Sequence, residues 1–406
     1  LSAEDAHGQN VAVGHNALLT LNAGADGNNV AVGYEAGKLM TTGVQNTLIG
    51  STAGDALTTG HSNTAIGNAA LSTEDTHSAN TAIGHSALSL LNAGADGFNT
   101  AVGFSAGAAM TTAIQNTIIG ARAGDALTTG TGNVALGYQA LTTEDTAGKN
   151  TAIGWRALHT LNAGDVNSNN TAVGSDAGLQ MTTGQANTLI GAGTGDAINT
   201  GTGNVALGFS AMSAATTEGD TVAIGRAAMS GSTLSQRAVA VGAYALEDQA
   251  HSSLTNTYNT AVGWSAGLNL TTAVRTTIVG GETANAIMTG NDNTLLGYGT
   301  GYDITSGHSN TIVGSSAGSN VSTGIKNVLI GVNTGDALTT GVRNTAVGYG
   351  ALSASVDGDN NTAIGYLALL AYEDGDGNGH NTAVGSNSQL NASTGEFNTS
   401  LGSLSM

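Results

Sequence analysis

One short pattern of apolar and polar positions runs the length of the chain. It reads Asn-Thr-Ala-Val/Ile-Gly-x-x-Ala, with glycines at 14, 33, 50, 67, 84, 103, 120, 137, 154, 174, 191, 208, 225, 242, 263, 280, 297, 314, 331, 348, 365, 385 and 402. The 23 copies leave 22 intervals, most of them equal to the step from Gly33 to Gly50, a period of 17. The five longer ones run from Gly14 to Gly33, Gly84 to Gly103, Gly154 to Gly174, Gly242 to Gly263 and Gly365 to Gly385, and are expected to hold insertions at one corner. The residue before each glycine is Val, Ile or Leu in all 23 copies, and the residue three after it is always Ala, Thr or Ser. Asn stands four before the glycine in 20 copies, the exceptions being Thr221, Ala238 and Thr276.

A few β-favouring residues, a glycine and then small residues predict one short strand and a tight turn, repeated. A period of 17 fits one coil of an all-β solenoid, with about 23 coils stacked one on another. The aliphatic column before the glycine is the expected core. The Asn column, including Asn46, Asn63, Asn80, Asn99, Asn116, Asn133 and Asn150, is expected to form a side-chain ladder at a corner. Proline is absent from the chain, as suits coils in which every amide is asked to donate.

A longer period sits on top. Asn22 to Gly27 returns as Asn92 to Gly97, and Thr73-Glu74-Asp75-Thr76 returns as Thr143 to Thr146, so four coils form a duplicated block with a period of 70. Three such blocks fill 1–217, and 218–406 holds more degenerate coils. With no linker in between, 1–406 reads as one continuous array.

Composition narrows the partners. The net charge is −19, and nine basic residues over 406 positions cannot build a surface that tracks phosphates, which argues against nucleic acid. No apolar run is long enough for a membrane-spanning helix. There is no cysteine, so disulfides and thiol chemistry are out. Leu1 opens in mid-pattern with no basic leader, which reads as a fragment or a processed start.

The unit resembles the head repeats of trimeric autotransporter adhesins, the YadA-like or haemagglutinin-type repeats, and Asn63-Thr64-Ala65-Ile66-Gly67-Asn68-Ala69-Ala70 stands close to their pattern. It is also similar to the repeats of bacteriophage tail fibres, as in Asn344-Thr345-Ala346-Val347-Gly348-Tyr349-Gly350-Ala351-Leu352. The resemblance implies a left-handed β-roll, a parallel homotrimer and an adhesive or spacer role on a virion or a bacterial surface. The period departs from the adhesin heads, whose coils are shorter. A trimer would also let each coil share a second apolar face, and the small residue three after the glycine would permit close approach of the chains.

Candidate sites are few. Nine of the 15 aromatics follow the repeat glycine directly: Tyr34, Phe104, Tyr138, Trp155, Phe209, Trp264, Tyr298, Tyr349 and Tyr366. They read either as platforms for a glycan or as an architectural column. Asp374, Asp376 and Asn378 offer oxygens at alternate positions, as calcium loops do, but Gly385 stands where such a loop needs a bidentate Glu. Asp55, Asp125, Asp196 and Asp336 read as solvated surface. No zinc spacing, nucleophile elbow or phosphate loop appears, so the expected function is non-enzymatic and the expected cofactor is none, calcium apart. The alternatives are a self-assembling extracellular filament and an ice-binding solenoid. The latter wants two outward Thr columns, and here the residue two past the Thr is aliphatic. A receptor, glycan or cell-surface, would be met by the insertions near 22–28, 92–98, 162–169, 247–258 and 371–380.

Overall fold

A computed structural model describes residues 8–24, 26–144, 146–164, 167–372 and 379–405. Across them the chain is a parallel β-solenoid of about 22 coils with no helix. The packing divides into two compact units, 1–203 and 204–406.

In the first unit, eleven three-residue strands run from Val11–Val13 to Thr188–Ile190. Each pairs in parallel, one-to-one register with the same three positions of the next coil, as in Thr64 with Thr81, Ala65 with Ala82 and Ile66 with Ile83. The second unit repeats the arrangement in twelve strands, from Val205–Leu207 to Thr399–Leu401. It adds a small sheet of Thr233–Gln236 and Ala250–Asn256, whose register is broken by a bulge.

A three-residue strand sends only its middle side chain to one face. That face is the interior: Ala65, Ala82, Leu48 and Ile118 are fully buried. The aliphatic column before the glycine is therefore not the core, contrary to the sequence expectation. Ile49, Leu136 and Val262 are 37%, 42% and 38% exposed on the outer face. The small residue three after the glycine is also inside its own coil, as Ala36, Ala53 and Ala70 show, so it cannot mediate an approach between chains.

The repeat glycine turns the corner after the strand. Gly67 has φ of +139°, and a β-carbon there would collide with the carbonyl oxygen of Gly84 in the next coil. Beyond the corner the backbone enters the left-handed region at alternate residues, φ 54° at Ala69 and 52° at Leu71. Such residues cost roughly 1–2 kcal/mol each outside glycine. Inter-coil bonds offset that cost: the Ala69 amide donates back to the Ser51 carbonyl and the Leu71 amide forward to the Ala87 carbonyl, both at 3.0 Å.

Besides the small residue three after the glycine, three positions per coil fill the interior, two before the glycine, four after it and seven after it. Their residues explain the four-coil block. The coil of Gly14 uses Ala12 (half-buried in this first described coil), Leu18 and Leu21; that of Gly33 uses Ala31, Gly37 and Met40; that of Gly50 uses Leu48, Gly54 and Leu57; that of Gly67 uses Ala65, Leu71 and Glu74. A large side chain two before the glycine is never combined with one four after it. Gly37 leaves room for both neighbours, since a β-carbon there would lie 2.9 Å from Leu18 Cδ2 and 2.7 Å from Leu48 Cδ1. At Gly54 it would lie 2.8 Å from Leu48 Cδ2.

This trade predicts a compensating pair. Leu48→Ala opens a cavity and should cost about 2–5 kcal/mol, and Gly54→Leu alone should overpack by about 1–3 kcal/mol. Together they recreate the pattern of the Gly67 coil. Chemical denaturation should find the double variant about 1–3 kcal/mol more stable than the sum of the two single effects.

Candidate functional site

Since the middle residue of each strand points inward, the two flanking ones point outward together. The result is a broad outer face built of two columns. One is Thr or Val, three before the glycine; the other is Val, Ile or Leu, directly before it. No charged side chain stands in either column of any repeat strand, in a chain of net charge −19. Neighbouring strands lie ~4.8 Å apart, and the two columns are roughly 6–7 Å apart along each strand. The hydroxyls of Thr64, Thr81, Thr100, Thr117 and Thr151 on this face take no partner among the described residues. Thr hydroxyls elsewhere behave differently: Thr41, Thr111, Thr305 and Thr339 each donate to a carbonyl of the next coil, at 3.2, 3.2, 3.0 and 3.0 Å.

The Asn column lies at the corner where the chain enters each strand, and its members from Asn29 to Asn381 are buried. The Asn46 Oδ1 accepts from the Asn63 backbone amide at 2.9 Å, Asn63 from Asn80 at 3.0 Å, and Asn80 from Asn99 at 3.3 Å. Asn99 accepts from Asn116, Asn116 from Asn133 and Asn133 from Asn150 in the same way, at 3.0, 2.8 and 2.9 Å. The side-chain NH₂ donates to the end of its own coil, Asn116 to Gly130 O at 3.0 Å and Asn133 to Ala147 O at 3.0 Å. One side chain thus ties three segments.

The nine aromatics after the glycine are all exposed, from 45% at Trp155 to 62% at Phe209. Several present edges rather than faces, because the rings stack along the coil axis. Tyr349 and Tyr366 stack at 5.5 Å, Tyr34 on His15 at 5.5 Å and Phe104 on His85 at 5.3 Å. The Arg156 guanidinium covers Trp155 at 3.8 Å, and the Tyr298 hydroxyl donates to Glu282 at 2.6 Å. Among these nine, Tyr138, Phe209 and Trp264 have neither a stacked aromatic or cationic partner nor a side-chain hydrogen bond among the described residues.

Polar groups in the interior are the feature the sequence reading missed. Glu74 and Glu144 occupy the seventh position after the glycine, where Leu57, Leu91 and Met110 pack the core, and both are fully buried. Glu74 accepts from the His77 amide at 3.1 Å, from His77 Nδ1 at 2.9 Å and from the Ala93 amide at 3.2 Å. Glu144 accepts from the amides of Thr146, Ala147 and Ala163 at 3.2, 2.8 and 3.3 Å. Ala93 and Ala163 lie in the insertion of the following coil. The buried carboxylates therefore anchor the loops that lengthen it, and their signal was a Glu in a Leu/Met column. Glu74, Asp75 and His77 bring donor atoms within 4.8 Å of one another, but both Glu74 oxygens are already engaged, which leaves this a structural cluster.

Asp374, Asp376 and Asn378 lie outside the described residues. A shallow depression at the last coil, lined by Asn387, Leu390, Asn391, Ala392 and Leu404, contains no titratable side chain. Contrary to the sequence expectation, Asp55, Asp125, Asp196 and Asp336 are not fully solvated; in each, Oδ1 is buried without a hydrogen-bond partner. Burial pushes all four carboxyls above the usual carboxylate range.

Two expectations follow. Asn116→Ala strips the Asn133 amide and the Gly130 carbonyl of their partners, each loss worth about 1–3 kcal/mol, and denaturant titration should show a loss of that order. The four raised aspartates make the folded chain bind protons more tightly than the unfolded one, so their contribution favours folding at low pH and is lost as pH rises through the raised values. Replacing all four by Asn should raise the melting midpoint at neutral pH, with the gain shrinking as the solution is acidified. An equal gain at every pH would show that their ionisation is not the cause.

No family model matches this chain, and no curated protein matches it.

Proposed function

We propose that this chain is a non-enzymatic extracellular structural and adhesive segment. It would serve as the repeat shaft or head of a phage tail fibre or of a bacterial trimeric surface adhesin, with three copies wound as left-handed rolls and set side by side in parallel. The observation that supports it best is the outer sheet face. An acidic chain repels its own copies, and the uncharged Thr/Val and Val/Ile/Leu columns are a surface on which copies meet without opposing charge. Half-exposed aliphatic ladders of this extent are uncommon on a surface left to water. Receptor contact, with a glycan or a cell-surface protein, falls to the insertions and to the open rings of Tyr138, Phe209 and Trp264.

One observation favours a second reading. The outward Thr hydroxyls have no partner among the described residues and repeat at the strand spacing beside branched methyl groups, an array suited to ordered water at an ice surface.

Sedimentation velocity separates the two. The trimer reading expects a species three times the chain mass of 39.7 kDa, and expects Ile83→Glu with Ile119→Glu to shift it towards single chains. A single-chain species at every concentration overturns the trimer; thermal hysteresis of that species, lost with Thr81→Tyr, would then support the ice-binding face.

A further inference from the structure

Within the 204–406 unit, three departures from the repeat fall on the same coils. The first concerns the seventh interior position. It holds Ala215, Ser232 and Gln249 in succession, where most coils place Leu, Met or Ile. All three are buried, and Ser232 Oγ and both amide atoms of Gln249 make no hydrogen bond. A buried polar group left without a partner opposes folding, and small side chains in a large-residue column forfeit packing contacts.

The second is the Asn ladder. Thr221 and Ala238 replace Asn on consecutive coils. Asn204 still accepts from the Thr221 amide at 3.2 Å, but the Thr221 hydroxyl donates to Gly219 O at 3.0 Å, and Ala238 has no side-chain oxygen to offer the Asn259 amide. The ladder resumes where Asn259 accepts from the Thr276 amide at 2.9 Å.

The third is the wall. Thr233–Gln236 and Ala250–Asn256 pair with a bulge between Thr233 and Ser235, so a seven-residue strand bows out against four residues. Beyond Ala250, whose amide donates to Thr271 O at 3.1 Å, residues 251–256 donate no backbone bond to the following coil among the described residues.

In a stacked array, stability is close to a sum of coil terms and neighbour terms, and opening starts where the neighbour terms are weakest. We infer that the coils carrying Gly225 and Gly242 are a built-in yielding segment, opening before the coils that follow them while those stay wound. Interior packing and corner ladder both weaken there, and the one wall sheet that joins these coils is broken by a bulge. Thr276 interrupts the ladder once more, but the coils of Gly297, Gly314 and Gly331 keep large interior side chains, Leu295 with Ile304, Ile312 with Val321 and Leu329 with Leu338, and an unbroken ladder from Asn293 to Asn310, Asn327 and Asn344.

Hydrogen exchange of the full chain, read by mass spectrometry, tests this. Amides of 229–258 should exchange on the order of tenfold or more faster than those of 280–340. The variant Thr221→Asn, Ala238→Asn, Ser232→Leu, Gln249→Leu should bring the two rates together. Equal or slower exchange of 229–258 in the native chain overturns the inference, as does an unchanged rate in a folded repaired variant. Should the repaired variant fail to fold, limited proteolysis of the native chain decides: first cleavage within 229–258 supports the segment, and first cleavage within 280–340 overturns it.

Discussion

The backbone of one coil cannot satisfy itself. Its strand amides and carbonyls, its left-handed turn residues and the corner before each strand all find their partners one coil away. A buried peptide group without a partner is costly, so each coil is stable only as a member of a stack. The same dependence enforces the regular period, because a coil of another length must put its surplus where it leaves the ladder intact. The insertions at 22–28 and 92–98 do so at one corner, and the strand register passes through unchanged, with Val11 facing Val30 and Thr81 facing Thr100.

Interior volume is managed across coils rather than within them. A leucine that stands four after the glycine leans over a glycine in the next coil, and the coil after that supplies a leucine from the strand side. This is close packing in the usual sense, but its repeat is four coils. The second half of the chain uses the same coil types in a different order, with four consecutive strand-side aliphatics at Ile278, Leu295, Ile312 and Leu329. That reordering, rather than loss of the rule, makes it look degenerate as a sequence.

Much of the fold was legible in the residues: strand, corner glycine, Asn column and coil spacing all follow from the repeat. The assignment of faces did not, because an invariant Val, Ile or Leu before the glycine attracts attention as a core position while a variable Ala, Leu or Ile does not. Alternation decides otherwise, since Thr64 and Ile66 flank Ala65 and must share a face. The left-handed turn residues were also hidden. Ala69, Leu71, Arg156 and Leu158 have no intrinsic preference for positive φ, so tertiary bonding imposes it. On the candidate surfaces, the aromatic column was visible but its edge-out stacking was not, and Glu74 stood out only as part of the duplicated Thr73-Glu74-Asp75-Thr76 stretch.

The anchoring of an insertion by a carboxylate in the preceding coil bears on how such a chain can lengthen. Copying a single coil would separate Glu74 from the loop amide at Ala93 and leave a bare acid or an unheld loop behind. Copying four coils carries the acid, its loop and a complete set of interlocking interior shapes as one heritable piece. Selection acting on duplications would then see viable products mainly in whole multiples of that four-coil piece, so the longer period records which copying events a stacked polypeptide survives.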